Sequence, residues 1–224
     1  MHEGIFEVSI LGHHFPITES ILIQWIVIIL IAILSIILTR SLKKLPDKKQ
    51  TVLEMFVSAV GNIVKENMGD GYKGFTPFIG TLALYIITLN LVPLLGFPAP
   101  TEDLSVTSGL ALITFMIIQG YTIKKVGLLH YFTGYGKPYV ALLPMNIIER
   151  VSLPVSLSLR LFGNITAGAV IMKLLYEGLM GINTFAALII PIPVHFYFDI
   201  FDGAIQMVIF VMLTMINLKI IAEH

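Results

Sequence analysis

The chain has 224 residues, 56% of them hydrophobic and only 12% charged, against about 45–50% and about 25% in an ordinary soluble domain. Its 14 basic and 14 acidic residues cancel to a formal charge of zero, which excludes a basic nucleic-acid binder and an acidic solvating protein. The absence of cysteine excludes a disulfide framework, a thiolate metal site and a thiol nucleophile.

A helix that crosses a bilayer needs about 20 mostly apolar residues, because about 30 Å of hydrocarbon is crossed at about 1.5 Å per residue. The first such run, 21–39, holds no charge before its end; it lies too deep and is too long for a signal peptide, and no basic segment precedes it. Residues 47–68 follow, with Val52, Met55, Phe56, Ala59, Val60 and Ile63 on one face and Lys48, Lys49, Glu54, Lys65 and Glu66 on the other. That segment is too charged to span and reads as an amphipathic helix on the membrane surface, with Pro46 before it and Gly69, Gly71 and Gly74 after it. Further crossings are expected at 76–96 and 104–123. The last two apolar stretches, 145–176 and 184–221, each exceed 30 residues and carry internal charges, so they must tilt strongly or be broken. They read as a tilted helical hairpin around the turn 177–183. The expected fold is therefore an all-α integral membrane protein of one domain, 1–224, with five crossings and one surface helix.

The basic residues predict orientation. None lies in residues 1–39, whereas Arg40, Lys43, Lys44, Lys48, Lys49, Lys65 and Lys73 fall between the first two spans. Lys124, Lys125 and Lys137 follow the third span, and Lys219 is near the C-terminus; the loop 97–103 has acids but no Lys or Arg. The positive-inside rule then places the N-terminus outside and the C-terminus in the cytoplasm.

Three basic residues fall outside that pattern. Arg150 neighbours Glu149 near the start of its helix, and Lys173 lies close enough to the other end to snorkel. Arg160 is about ten residues, or roughly 15 Å of helix, beyond Glu149. An arginine at such depth costs between about 2.5 and over 10 kcal/mol, so its default reading is a charge on an ion pathway, with a structural ion pair to a neighbouring helix as the rival. Ser156, Arg160, Asn164 and Ala167 follow one another on one face, flanked by Gly163 and Gly168, small residues that let another helix come close. The partner is either the last helix or another subunit.

The last helix carries its own polar stripe. At α-helical spacing His195, Asp199, Asp202 and Gln206 share one face. Carboxylates placed together at depth resist ionising together, through desolvation and like-charge repulsion, and such groups can load and unload protons. A metal site is the rival reading of His-x3-Asp-x2-Asp, weakened by the lack of a second nearby histidine; a plain structural network with Arg160 is the other. The run Gly134-Tyr135-Gly136-Lys137-Pro138 is a poor phosphate loop, since Tyr131 and Pro138 occupy the Gly and Ser/Thr places. His13-His14 reads as a solvated outer segment. No cofactor is expected.

The segment Pro154-Val155-Ser156-Leu157-Ser158-Leu159-Arg160-Leu161-Phe162-Gly163-Asn164 closely resembles the signature of subunit a of the rotary F-type ATP synthase membrane sector, bacterial type. Pro100-Thr101-Glu102-Asp103-Leu104-Ser105-Val106-Thr107 resembles a second motif of that family, and Gln206 with Ile209-Phe210-Val211-Met212-Leu213-Thr214 a third. The resemblance implies that the long last two helices pack along a rotor ring of c subunits. It also implies a b-subunit peripheral stalk and the remaining synthase subunits as partners, with lipid around the chain, protons passing through it and no nucleic acid. Arg160 matches the family's essential arginine, Asn164 and Gln206 match its polar companions, and Asn90 and Asp103 fall where the family builds one proton path. Many bacterial members carry a glutamate nine residues after the arginine, where this chain has Ala169, and a histidine on the last helix where it has Asp199. The acidic group has moved across to the other helix.

The two readings converge on a stator with two offset half-channels. One opens outward past His195, Asp199, Asp202 and Gln206, with Asn90 and Asp103 contributing; the other opens to the cytoplasm between the inner ends of the last two helices. Arg160 separates them and drives the ring's carboxylates to release protons. The subunit makes no ATP itself. A secondary transporter and a purely structural scaffold are the alternatives, although neither repeats nor paired broken helices are evident. The short N-terminus without a transit peptide points to a bacterial plasma membrane.

Overall fold

A computed structural model of the protein describes residues 6–10, 13–40, 42–127, 143–181 and 184–223. Residues 134–138, Lys137 and positions 182–183 of the expected turn lie outside the described residues. The first element was not expected. Phe6–Ile10 (β1) pairs antiparallel with His13–Ile17 (β2), with Phe6 opposite Ile17 and Ile10 opposite His13. The alternation Phe6-Glu7-Val8-Ser9-Ile10 is the period-two pattern that would have found it.

The five expected crossings are present: helices long and apolar enough to cross a membrane cover Glu19–Thr39, Asp70–Leu95, Leu104–Val126, Pro144–Met180 and Phe185–Ala222. The all-α membrane architecture stands, with the hairpin as an appendage. Helix α1 (Glu19–Thr39) buries only Ser20 and Val27. Val27 meets Leu89 and Val92 with Ile23 and Ile31 packed beside it, and the exposed apolar side chains of α1 have to be covered by lipid or a partner.

Helix α2 (Lys48–Met68) is the amphipathic element, and the structure splits its apolar face in two. Val60, Val64 and Met68 are buried against the bundle with Phe56 beside them, whereas Val52, Met55 and Ile63 stay exposed. The second stripe suits a membrane surface. Gly69 ends the helix at φ 98°, a conformation that side-chain-bearing residues rarely adopt. A 3-10 turn, Asp70–Phe75, leads into α3 (Thr76–Leu91). The crossing expected to 96 leaves α-geometry at Leu91, because Pro93 cannot supply the next N–H, and Val92–Leu95 forms a 3-10 turn. After the short turn Pro100–Glu102 comes α4 (Leu104–Val126), capped by Asp103, whose Oδ1 accepts from the Ser105 backbone N–H at 2.9 Å.

The final two stretches behave differently from each other. Helix α5 (Leu143–Met180) runs unbroken for 38 residues and absorbs Pro154. At about 1.5 Å per residue it is roughly 57 Å long, far more than an upright crossing of about 30 Å of hydrocarbon requires. The second arm is broken into α6 (Thr184–Ile189), α7 (Pro191–His195), a π-helical segment (Phe196–Asp202) and α8 (Gly203–Glu223). Pro191 and Pro193 account for the first break, since each lacks an N–H for the preceding turn.

Helix α8 is the central staff of the bundle. It packs against α3, α4 and α2, while α5 lies along α4. Ile79, Ile86, Ile118, Leu157, Leu161, Met215 and Leu218 close the core at 2% exposure or less. Basic side chains from separate elements meet at one end: Lys65 and Lys73 reach Asp70 at 3.7 and 2.8 Å, Lys125 Nζ donates to the Tyr72 hydroxyl at 2.9 Å, and Lys219 Nζ to the Asn67 carbonyl at 3.4 Å.

Candidate functional site

At the opposite end of the bundle from those lysines, a cavity of about 300 Å³ opens between three walls. The end of α3 and the following loop contribute Asn90, Pro93, Gly96 and Glu102; α5 contributes Asn164, Gly168, Ala169 and Met172; the last arm contributes His195, Phe198, Asp199 and Asp202. Ala169 and Asp199 thus line the same space from facing walls. The approach is close, as a Cβ on Gly168 would sit 3.2 Å from the Phe198 ring.

The π segment decides how the polar stripe is displayed. Expected on one α-helical face, His195, Asp199, Asp202 and Gln206 are divided: the first three line the cavity, and Gln206 is buried at 4% exposure off its wall. A π turn bonds i to i+5, so each turn holds more residues and the face rotates; such segments recur at functional sites. His195 Nδ1 lies 2.7 Å from Asp199 Oδ2, and its Nε2 lies 3.2 Å from the Tyr176 hydroxyl of α5. Sequence spacing does not reveal Tyr176, because its partner belongs to the other arm of the hairpin. Among the described residues no group of three or more His, Asp or Glu side chains is placed to hold a metal ion.

Asn90 and Asp103 both hold elements together, and Asn90 also lines the cavity. Asn90 is 1% exposed; its Nδ2 donates to the Gly203 carbonyl at 3.1 Å and its Oδ1 accepts from Thr101 Oγ1 at 3.2 Å, joining α3, α8 and the loop. Asp103 caps α4 and accepts from Thr18 Oγ1 at 3.1 Å through Oδ2; the acid of that motif on the cavity wall is Glu102. Asp103→Ala is expected to cost about 1 kcal/mol of stability through the lost cap, and Asp103→Asn, which keeps an acceptor, to recover most of it. Thermal inactivation of the assembled complex reads both.

Arg160 is half-buried on α5, between the buried Leu157 and Leu161 and the exposed Ser156, Gly163, Asn164 and Ala167. A Cβ on Gly163 would meet nothing within 4 Å. Among the described residues Arg160 makes no ion pair, so the structural-pair reading has no partner within them. Asn164 stands one helical turn on, and it belongs both to this open face and to the cavity wall.

The profile of the ATP synthase A chain family matches residues 21–219. The chain is 31% identical to the ATP synthase subunit a, sodium ion specific, of Propionigenium modestum, over 98% of this chain and 80% of that protein. It is 33% identical to ATP synthase subunit a of Moorella thermoacetica over 89% of this chain and 88% of the relative. To its counterpart in Listeria monocytogenes serotype 4b it is 33% identical over the full length of both. With five membrane helices and a match over nearly its whole length, the chain belongs to the ATP synthase A chain family, as a bacterial-type subunit a of the F-type ATP synthase.

Proposed function

We propose that this subunit is the stator's proton channel, with two offset half-channels separated by Arg160. The carrying observation is that one cavity runs from Glu102 past Asp202, Asp199 and His195 to Asn164, a single turn from an arginine on an open face. The lysine-rich end lies opposite, which supports an outward-opening cavity, an external N-terminus and a cytoplasmic C-terminus. The open face of α5, with Gly163 and Ala167 beside Arg160, suits close approach of a c-subunit ring. The second half-channel runs to the cytoplasm between the inner ends of α5 and α8, beside Ser156; Gln206 braces the dividing region from α8. The b-subunit stalk holds this subunit against rotation.

Protons entering the cavity pass to Asp199 and Asp202 and then to a rotor carboxylate. On the far side of the arginine the returning carboxylate meets a fixed positive charge, which favours its ionised form and releases the proton. The same charge repels a proton moving directly between the half-channels. A membrane potential supplies about 2.3 kcal/mol per charge for each 100 mV. A histidine hydrogen-bonded to a carboxylate suits protons as the coupling ion.

Passive proton conduction through the assembled complex in vesicles tests the outward half. Asp199→Asn is expected to slow conduction about a hundredfold, the lower end of the range for loss of a proton-transfer group, with normal assembly. Wild-type conduction in both Asp199→Asn and Asp202→Asn would sink the proposal.

A further inference from the structure

We propose that Tyr176 and His195 form a second proton route to Asp199, carried by side chains and parallel to the cavity. This rests on the reading of Asp199 as a proton carrier. Tyr176 is half-buried near the end of α5 and does not line the cavity, whereas His195 and Asp199 do. Its hydroxyl is 3.2 Å from His195 Nε2, and His195 Nδ1 is 2.7 Å from Asp199 Oδ2. The two rings are tilted by 51° with centroids 6.0 Å apart. The next residue, Glu177, is exposed.

The chemistry of the partners separates a relay from a merely satisfied histidine. A backbone carbonyl only accepts, so it would fix one imidazole tautomer. Here both ring nitrogens face groups that can either donate or accept: a phenol hydroxyl and a carboxyl group. Each tautomer is therefore fully hydrogen-bonded. With Asp199 ionised, Nδ1–H donates to the carboxylate and the Tyr176 hydroxyl donates to Nε2. A proton arriving at the Tyr176 oxygen then shifts three O–H or N–H bonds in sequence: the hydroxyl proton moves to Nε2, the Nδ1 proton moves to Asp199 Oδ2, and the incoming proton remains on Tyr176. One proton enters, one reaches Asp199, and every heavy-atom bond is kept. Reorientation of the three groups resets the chain.

The test measures proton uptake driven by a potassium diffusion potential in vesicles holding the assembled complex. Tyr176→Phe keeps the ring and deletes only the hydroxyl; conduction is expected to fall severalfold with unchanged assembly. Tyr176→His restores an exchangeable group and should recover much of it. Asp199→Asn should fall further, since both routes end there. Wild-type conduction in Tyr176→Phe beside a slow Asp199→Asn overturns the second route alone; wild-type conduction in Asp199→Asn overturns the part given to Asp199 and this route with it, and wild-type conduction in Asp202→Asn as well overturns the channel reading itself. Should the Phe variant not assemble, His195→Asn decides: its amide can hold Asp199 but cannot pass a proton from one side to the other, and wild-type conduction there also overturns the route.

Discussion

Arg160→Ala is expected to abolish ATP-coupled proton pumping while the complex still assembles. A guanidinium about 4 Å from a carboxylate contributes about 4 kcal/mol at an effective dielectric of about 20. At about 1.36 kcal/mol per pK unit, that is worth about three units in the proton affinity of the arriving rotor group. Without it a carboxylate in a low-dielectric setting keeps its proton and the ring has nothing to discharge. Assembly is expected to survive because Arg160 makes no ion pair among the described residues and only part of its side chain is buried. Coupled pumping is read by acidification of inverted vesicles supplied with ATP, and assembly by recovery of the intact complex. Pumping at the normal rate by a normally assembled Arg160→Ala complex would refute the role given to this residue.

Gly203→Val is expected to be the most damaging apolar change in the bundle. Even the first carbon of a side chain at Gly203 would stand 3.0 Å from Asn90 Cβ, which is bonded directly to the backbone and cannot swing aside. Overpacking of this kind costs about 1–3 kcal/mol. Displacing Asn90 would also break its bond to the Gly203 carbonyl and strand a buried amide, for about 1–3 kcal/mol more. Gly203 follows directly on the π segment, so any shift also moves Asp199 and Asp202 relative to α5. The variant should accumulate poorly and inactivate at lower temperature. Gly203→Ala should show a milder form that Asn90→Gly relieves in the double variant; full additivity of the two changes would show that this contact does not limit packing.

Much of the fold was legible because membrane insertion is governed by local hydropathy. The five spans and the amphipathic helix between the first two follow from run lengths and charge placement within windows of about 20 residues. The family motif around Arg160 lies on one helix for the same reason. Legibility failed wherever a side chain's setting depends on distant partners. Glu102 and Asp103 are adjacent acids, yet the demand for an N-cap takes Asp103 and leaves Glu102 on the cavity wall. Neither α2 stripe could be assigned from sequence, since both are apolar and only packing against the bundle separates Val60 from Val52.

Long apolar runs and a scarcity of charged residues determined that this is a membrane protein, and the motif around Arg160 pointed to its family. The amino-acid sequence reached that far because lipid imposes the same rule on every segment separately. Which carboxylates share a cavity, where the last arm abandons α-geometry and which tyrosine meets His195 were decided only by tertiary structure. Those outcomes depend on contacts such as Asn90 with Gly203, 113 residues apart, and no local pattern encodes them.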